Sequence, residues 1–264
     1  MPSPNMISVQ QLSRLIGTDS APILIDVCID ADFEADPRLI PTAVRVPFTA
    51  MDDFASTPGH ERVAVICQKG LKLSQGAAAI LRTHGVTAEA LAGGNIAWRD
   101  AGQPLVPASL IPDRVTGQGT LWVTRHRPKV DRIACAWLIR RFVERVARFL
   151  FVGPSEVPAI AERFGATPFD VPDVCWSHRG DRCTFDTMLE GLCLQTDPLR
   201  ELAAIVRGAD TNRLDLTPQS AGLLAASLGL SCQFRDDLQQ LQAGLVLSDA
   251  SSRWCRDAMD ERHD

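Results

Sequence analysis

The sequence contains no tyrosine and no pair of cysteines separated by two residues. Without tyrosine, no tyrosine hydroxyl can contribute to a site. The eight cysteines are scattered over 264 residues without a tight framework, and such scattering is not typical of a small scaffold held together by disulfides. We therefore expect most of the cysteines to be reduced thiols.

The chain also lacks a basic leader and long apolar runs. Its start, MPSPNMISVQQ, has neither region of a signal peptide, and no uninterrupted apolar run reaches the length of a membrane span. We expect a cytoplasmic protein with no membrane partner. The net charge of -5 and the pI near 5.6 argue against general binding of nucleic acid. Neither a helix-turn-helix with a basic second helix nor interleaved aromatic and basic residues is found, so nucleic acid is not an expected partner.

The length and the apolar content of 45% predict two ordinary domains. In residues 1–106, strand-like runs alternate with helical ones, which predicts an α/β domain with a parallel sheet and flanking helices. Residues 107–119 are rich in proline and glycine and are predicted to be a linker. Residues 120–264 have few strand patterns and are predicted to form a helix-rich α+β domain.

The most informative stretch is VAVICQKGLKLSQGAAAIL, residues 63–81. It predicts a buried strand, then Cys67, then a loop that opens a helix at about Ser74. A loop that enters a helix N-terminus presents backbone N–H groups and the positive end of the helix dipole, which attract an anion and favour a thiolate. We therefore predict a catalytic Cys67. The alternative is that Cys67 is a buried thiol that packs as a small apolar residue.

This stretch resembles the active-site loop of the rhodanese family, in which a cysteine, two residues, a glycine, one residue and a basic residue follow one another. Cys67, Gly70 and Lys72 match that pattern, although Lys72 stands where the family has arginine. Lys72 is therefore predicted as the second catalytic residue. The resemblance implies a rhodanese-like fold, a persulfide on Cys67, and a small sulfur donor and a thiol acceptor as partners. It also implies an anion-binding and persulfide-binding loop formed by Gln68, Lys69, Gly70 and Leu71.

The second half of the chain resembles another family. The segments that carry this likeness are WVTRHRPKVDRIACAWLIRRF (residues 122–142), FLFV (149–152), HRGDRCTFD (178–186) and IVRGADT (205–211). Together they are similar to the C-terminal domain of the ChrB family of chromate-resistance proteins. The resemblance implies a role in chromate tolerance, and it does not supply a biochemical activity for this domain.

Metal-capable side chains are concentrated in the second half. His178, Cys183 and Asp186 lie within nine residues, and Asp131 and Asp210 lie beside arginines or predicted helix ends. Mixed imidazole and carboxylate ligands suit zinc, iron or manganese, so a site for one of these metals is one possibility for this domain, without any cofactor being certain. The alternative is structural: Asp131 pairs with an arginine, Asp186 and Asp210 cap helices, and His178 is a satisfied polar group.

A second possibility for this half is capture of an oxyanion such as chromate. Converging arginines bind doubly charged tetrahedral anions, and Arg125, Arg127 and Arg132 are the candidates. The alternative is that these side chains are solvated or paired with carboxylates. The segment 234–259 repeats apolar residues as one long helix does, which leaves pairing with a second copy of the chain open.

Two functions of different classes follow from these patterns. In the first, the protein is a sulfurtransferase with its chemistry at Cys67, and the C-terminal domain supplies the acceptor, a metal or regulation. In the second, the protein senses a metal or an oxyanion through the C-terminal domain, and the first domain is a redox or docking module.

Overall fold

A computed structural model describes residues 5–57, 59, 62–113, 119–259 and 261 of the chain. The chain divides into two compact units. The first comprises Met1–Ile111 together with Arg141–Glu144, and the second comprises Pro112–Arg140 and Arg145–Asp264. Of the stretch predicted as a linker, residues 107–111 belong to the first unit, and residues 114–118 lie outside the described residues.

The first unit is built on a five-stranded sheet in which every neighbouring pair is parallel, in the order β1-β6-β5-β2-β4. A second, two-stranded ladder pairs β3 with β7 in antiparallel fashion. The elements in chain order are β1 (Met6–Ile7), α1 (Val9–Leu15), β2 (Ile23–Asp26), α2 (Asp30–Ala35), β3 (Arg38–Leu39), β4 (Val44–Arg45), α3 (Met51–Ala55), β5 (Arg62–Ile66), α4 (Lys72–Thr83), β6 (Thr87–Leu91), α5 (Gly94–Asp100) and β7 (Val106–Pro107).

Burial explains why the central strands carry uninterrupted apolar sequence. Strand β5 lies between β6 and β2, and its residues from Val63 to Ile66 are at most 1% exposed. Strands covered on both faces read as continuous apolar runs rather than alternating ones. The small side chains of Ala77 and Ala78 on α4 belong to the same apolar cluster as Val63 and Val65. The predicted parallel sheet with flanking helices is confirmed, and its central strand leads directly to Cys67.

The second unit is helix-rich and contains a three-stranded parallel sheet in the order β10-β8-β9. A π-helical turn, Ile139–Val143, follows α6. The elements are β8 (Leu121–Arg125), α6 (Val130–Leu138), β9 (Arg148–Val152), α7 (Val157–Phe164), β10 (Thr167–Pro168), α8 (Thr184–Gly191), α9 (Asp197–Asp210), α10 (Ser220–Gln233) and α11 (Asp237–Asp257). None of the helices among the described residues is long and apolar enough to cross a membrane.

The long helix predicted over residues 234–259 is present as α11, Asp237–Asp257, with a slightly later start. Phe234 is the C-cap of α10, and α11 begins only after Asp236. The Asp236 carboxylate accepts a hydrogen bond from the backbone N–H of Gln239 at 2.8 Å, which is the geometry of an N-cap. A capping residue therefore sets the start of the helix where the apolar period alone does not.

Candidate functional site

Cys67 lies at the carboxyl end of β5, between this strand and the N-terminus of α4. Its side chain is buried, with 5% of the residue exposed, and its Sγ lies 3.1 Å from the Oγ of Ser74 in the first turn of α4. The Ser74 hydroxyl in turn donates to the backbone oxygen of Leu71 at 3.3 Å. The thiol is thus held against the first turn of a helix and beneath the loop that leads into it.

The loop after Cys67 contains backbone N–H groups that are available to bind a ligand. Within the described part of the chain, the N–H groups of Gln68, Lys69, Gly70 and Leu71 make no hydrogen bond. The first N–H groups of α4 add to this set, because the first turn of any helix has no preceding carbonyl groups to meet it. Successive free N–H groups beside a helix N-terminus form a concavity that favours a negatively charged group.

Two glycines allow the loop to pack tightly against the chain that follows β6. Gly70 has φ +66, and a Cβ on it would lie 2.3 Å from the backbone oxygen of Leu91. Gly94 has φ +59, and a Cβ on it would lie 2.0 Å from the backbone oxygen of Cys67. At this close approach the N–H of Asn95 donates to the same oxygen at 3.1 Å. The position of Cys67 is therefore fixed by backbone contacts from a second segment.

A buried polar group lies beneath this arrangement. Asp26, at the end of β2, is 1% exposed and accepts hydrogen bonds from the backbone N–H of Cys28 at 2.8 Å and from the Asn95 side-chain amide at 3.0 Å. The same amide lies 3.5 Å from the Cys28 Sγ. Burial, and next the Asp26 carboxylate, raise the pKa of the Cys28 thiol well above its usual range. Cys28 is therefore a protonated neighbour of the site.

The two lysines of the loop have exposed positions. Lys72 is the first residue of α4, and Lys69 lies in the bend before it. Both side chains face solvent rather than the buried thiol. The loop and the first residue of α4 therefore combine a buried sulfur, unpaired amides and two exposed cationic side chains.

A second constellation lies in the second unit, where three carboxylates converge on one imidazole. The Nε2 atom of His178 lies 3.4 Å from a carboxylate oxygen of each of Asp131, Asp170 and Asp210. Asp131 and Asp170 have side chains that are 1% and 5% exposed, whereas His178 is 42% exposed and Asp210 24%. Two buried carboxylates thus lie behind an imidazole that reaches solvent.

Hydrogen bonds from α8 fix the orientation of these two buried carboxylates. Asp131, in the first turn of α6, accepts the backbone N–H groups of Thr184 at 2.8 Å and of Phe185 at 2.9 Å. Asp170, which follows β10 and Phe169, accepts the Thr184 hydroxyl at 3.0 Å. Since Asp131 satisfies orphan N–H groups at the start of α8, it orients both that helix and the cluster.

The cluster shifts the pKa values of its members in opposite directions. A hydrogen bond to Asp131 raises the pKa of His178 to about 9 against the opposing effect of burial. Burial, followed by the charges of Asp131 and Asp170, raises the pKa of Asp210 to about 6. Burial also raises the pKa of Asp170. For Asp131 the burial effect is outweighed by the hydrogen bonds from His178 and from the α8 backbone, and the pKa is lowered.

The other two residues predicted as metal ligands lie beside this cluster and form a helix cap. Cys183 is the N-cap residue of α8; its backbone N–H donates to the Asp186 carboxylate at 3.1 Å, and its Sγ lies 3.3 Å from the same oxygen. The second Asp186 oxygen pairs with Arg207 at 2.7 Å. The structure thus brings together His178, Asp131 and Asp210 of the predicted set, and uses Cys183 and Asp186 at the helix terminus.

The three arginines predicted to capture an oxyanion are engaged with other groups. Arg125 and Arg132 both bind Asp170, at 3.1 and 3.0 Å. The Arg127 guanidinium donates to the backbone oxygens of Ser231 and Phe234, and the backbone N–H of Arg127 donates to the Asp237 carboxylate. Their guanidinium groups therefore orient a carboxylate and join two turns of the chain.

Sequence reasoning missed Asp170 and Ser74. Asp170 lies close to the carboxyl end of a two-residue strand that has no apolar pattern of its own, so no spacing marked it. The available signal was a carboxylate following a short extended run, where open parallel sheets place functional groups. Ser74 was visible as the first small hydroxyl residue of the predicted helix, seven positions after Cys67.

Comparison with known proteins assigns the second unit to a family. The family model described as ChrB, C-terminal domain, matches residues 122–255, about half of the chain. The chain belongs to the ChrB family. Protein ChrB of Cupriavidus metallidurans strain CH34 is 36% identical over 121 residues, which are 41% of this chain and 36% of that protein. This chain therefore spans about a third of the length of the curated relative that it matches.

Solved structures similar to parts of the chain include rhodanese-like proteins. A rhodanese-related protein from Thermoplasma volcanium is 23% identical, with a TM-score of 0.34, over 39% of this chain and 97% of that one. A human single domain sulfurtransferase is 22% identical, with a TM-score of 0.32, over 37% of this chain and 97% of that one. At TM-scores of this size, the fold assignment rests on the parallel sheet itself.

Proposed function

We propose that this protein is a cytoplasmic chromate-resistance protein of the ChrB family with a rhodanese-type sulfurtransferase site, at which a persulfide forms on Cys67. The observation that carries the proposal is the placement of Cys67 between a buried parallel strand and a helix N-terminus, followed by four unpaired loop amides. A persulfide is an anion at neutral pH, and such a loop stabilises an anion.

The chemistry follows from this placement. The Cys67 thiolate attacks the sulfane sulfur of a small donor, and the rest of the donor leaves with the electron pair of the broken bond. Cys67 then carries a persulfide, whose charge the amides of residues 68–71 stabilise. A thiol acceptor, as its thiolate, attacks the outer sulfur and takes it away, which restores the Cys67 thiolate. Lys72, exposed at the start of α4, attracts an anionic donor as a point charge.

Burial of the sulfur suits a bound intermediate. Cys67 is 5% exposed and lies under its loop, so a persulfide formed there would be shielded from solvent thiols that have not entered the loop. The Ser74 hydroxyl accepts from the Cys67 thiol at 3.1 Å, and once the sulfur is an anion the hydroxyl can turn from the Leu71 oxygen and donate to it. These contacts favour transfer to a thiol that enters the loop over transfer to other thiols in solution.

The test is mass spectrometry of the protein and of its proteolytic peptides after exposure of the intact protein to excess thiosulfate or glutathione persulfide. Wild-type protein should gain one sulfur atom on the peptide containing Cys67, and Cys67→Ser should gain none there. Cys28→Ser is the matched control, because Cys28 lies beside the site as a protonated thiol, and it should still form the persulfide. An unmodified Cys67 in wild-type protein under these conditions would refute the proposal.

The link to chromate rests on the family of the second unit. If sulfur handling at Cys67 contributes to resistance, a bacterial host that expresses the wild-type chain should tolerate more chromate than the same host expressing Cys67→Ser. Equal chromate tolerance of the two hosts at equal expression would show that the sulfurtransferase site does not contribute to resistance.

A second candidate function is sensing of a metal or an oxyanion by the C-terminal unit, with the first unit as a redox or docking module. The cluster of Asp131, Asp170 and His178 favours the metal version, because the arginines predicted to bind an oxyanion are already engaged. A ligand that binds only the folded state stabilises it by RT ln(1 + [L]/Kd). Thermal melting of the full chain with chromate, sulfate and divalent metals tests this function, and unchanged melting in all of them would contradict it.

A further inference from the structure

We infer that Asp131, Asp170 and His178 form a binding site for a divalent first-row transition metal, with Asp210 beside its open position. Nitrogen and oxygen ligands from one imidazole and carboxylates suit zinc, iron and manganese. The site is separate from the Cys67 loop, and it specifies which residues of the C-terminal unit would serve the sensing function.

Distances between the ligand atoms are the first argument. One ligand atom from each of Asp131, Asp170 and His178 can be chosen so that all three lie within 4.8 Å of one another. His178 Nε2 is 3.4 Å from the facing oxygens of Asp131 and Asp170. Metal–ligand bonds of about 2.0–2.2 Å at tetrahedral angles place neighbouring ligand atoms about 3.4 Å apart.

The second argument is that one nitrogen faces three oxygens. Nε2 of His178 carries at most one proton, yet Asp131, Asp170 and Asp210 each present an oxygen at the same 3.4 Å. A single N–H can point at only one of them. A cation held between the nitrogen and the oxygens interacts favourably with all of them at once.

The supports around the cluster are of the kind that orients metal ligands. The Thr184 hydroxyl holds the Asp170 oxygen that faces His178, while Arg125 and Arg132 hold the opposite oxygen. Backbone N–H groups of α8 hold Asp131. Carboxylate ligands are commonly fixed by hydrogen bonds of this type, and their loss weakens metal affinity by about 10–100-fold.

The position in the fold agrees with this assignment. Asp170 follows β10, and Arg125, which holds it, ends β8, so the cluster lies at the carboxyl ends of two parallel strands. Open parallel sheets bind ligands at that edge.

The outer side of the cluster gives an ion a route from solvent. His178 is 42% exposed and Asp210 24%, whereas the two carboxylates behind them are nearly inaccessible. Asp210 approaches the imidazole but falls outside the three-residue group. Three protein ligands and an open position beside a carboxylate are typical of sites where the metal keeps a water molecule or takes a substrate.

The test is metal analysis of the full-length protein. Wild-type protein and variants are loaded separately with Zn²⁺, Mn²⁺ or anaerobic Fe²⁺, dialysed, and measured by inductively coupled plasma mass spectrometry. Wild type should retain one equivalent of at least one of these metals. His178→Gln and Asp170→Asn should lower affinity at least about tenfold. His178 is a partly exposed side chain, so its variant is expected to fold, and circular dichroism checks this.

Cys183→Ser is the matched control. Serine removes the thiol beside the cluster but is itself a favoured N-cap residue, so α8 should keep its start and the protein its metal. Metal content that is equally low in wild type and His178→Gln for all three ions would overturn the inference. Metal lost in Cys183→Ser but kept in Asp170→Asn would overturn this ligand set.

The same samples separate this inference from the proposed sulfurtransferase. Persulfide formation should be normal in His178→Gln, and metal content should be normal in Cys67→Ser. A wild-type protein that binds metal but forms no persulfide would refute only the function of the first unit. A wild-type protein that forms the persulfide but binds no metal would refute only the metal site.

Discussion

A Cβ on Gly94 would lie 2.0 Å from the backbone oxygen of Cys67. The same Cβ would lie 2.5 Å from the nitrogen of Gly70, and Gly94 has φ +59, where side chains other than glycine are strained. The backbone of one segment is therefore pressed against the loop that carries the thiol. No other residue type can occupy position 94 without moving that loop.

Gly94→Ala should accordingly impair sulfur transfer and stability together. We expect a loss of about 2–4 kcal/mol in the free energy of unfolding, measured in denaturant, and little persulfide on Cys67. Gly76→Ala is the matched control, because a Cβ at that position in α4 has no atom within 4 Å. It should be stabilising by about 0.5–1 kcal/mol. Equal behaviour of the two variants would contradict the close packing.

Ser74→Ala should slow persulfide formation without unfolding the protein. The Ser74 Oγ lies 3.1 Å from the Cys67 Sγ, and loss of one hydrogen bond of about 1 kcal/mol corresponds to about fivefold in rate. Stopped-flow or quenched mass-spectrometric measurement of the reaction with thiosulfate would show it. Ser13→Ala, on the surface of α1, is the control. An unchanged rate in Ser74→Ala would mean that this hydroxyl only ends the loop.

Arg127→Ala should destabilise the second unit. The guanidinium donates to the backbone oxygens of Ser231 and Phe234, which would lose a charged donor in a partly buried turn. We expect a loss of about 2–4 kcal/mol in the free energy of unfolding. Arg163→Ala, an exposed arginine on α7, should change it by less than about 0.5 kcal/mol. Similar small effects in both variants would show that the hydrogen bonds of Arg127 do not stabilise the second unit.

His178 gives the metal-free protein a pH dependence of defined sign. Its pKa rises from 6.5 to about 9 in the folded state, mainly through its hydrogen bond to Asp131. The stability from the protonated ring is therefore complete below pH 6.5 and is lost as pH rises through about 9. In the presence of a chelator, the difference in melting temperature between wild type and His178→Gln should shrink across that interval. A difference independent of pH would contradict this electrostatic role.

The strand, the cysteine and the helix of the first site could be predicted because they are contiguous. A β-branched run, Cys67 and an alanine-rich helix follow one another within residues 63–81, so local preferences predict a thiol between a strand and a helix. What the sequence did not reveal was the contact of Gly94 with the loop, which joins positions 27 residues apart. That contact depends on the pairing of β5 with β6, which is a tertiary interaction.

The second site was predictable only in part for the same reason. His178, Asp131 and Asp210 were noticed as single metal-capable residues, but their meeting depends on where α6, α8 and α9 pack. Cys183 and Asp186 are close in sequence to His178, and proximity in sequence suggested ligands where the chain needed a helix cap. Gly208 lies inside α9, where a Cβ would meet the Ser220 hydroxyl at 2.2 Å, and this contact between helices cannot be read from local sequence.

The hydrogen bond from the Thr184 backbone to Asp131 joins residues 53 positions apart. During synthesis on the ribosome, Asp131 is made long before α8, whose backbone N–H groups donate to its carboxylate. A chain interrupted between these positions would have to bury an uncompensated charge or leave α6 exposed, and either state is a substrate for cellular proteases. Copies of the second unit that end before Thr184 should therefore be degraded faster than complete ones.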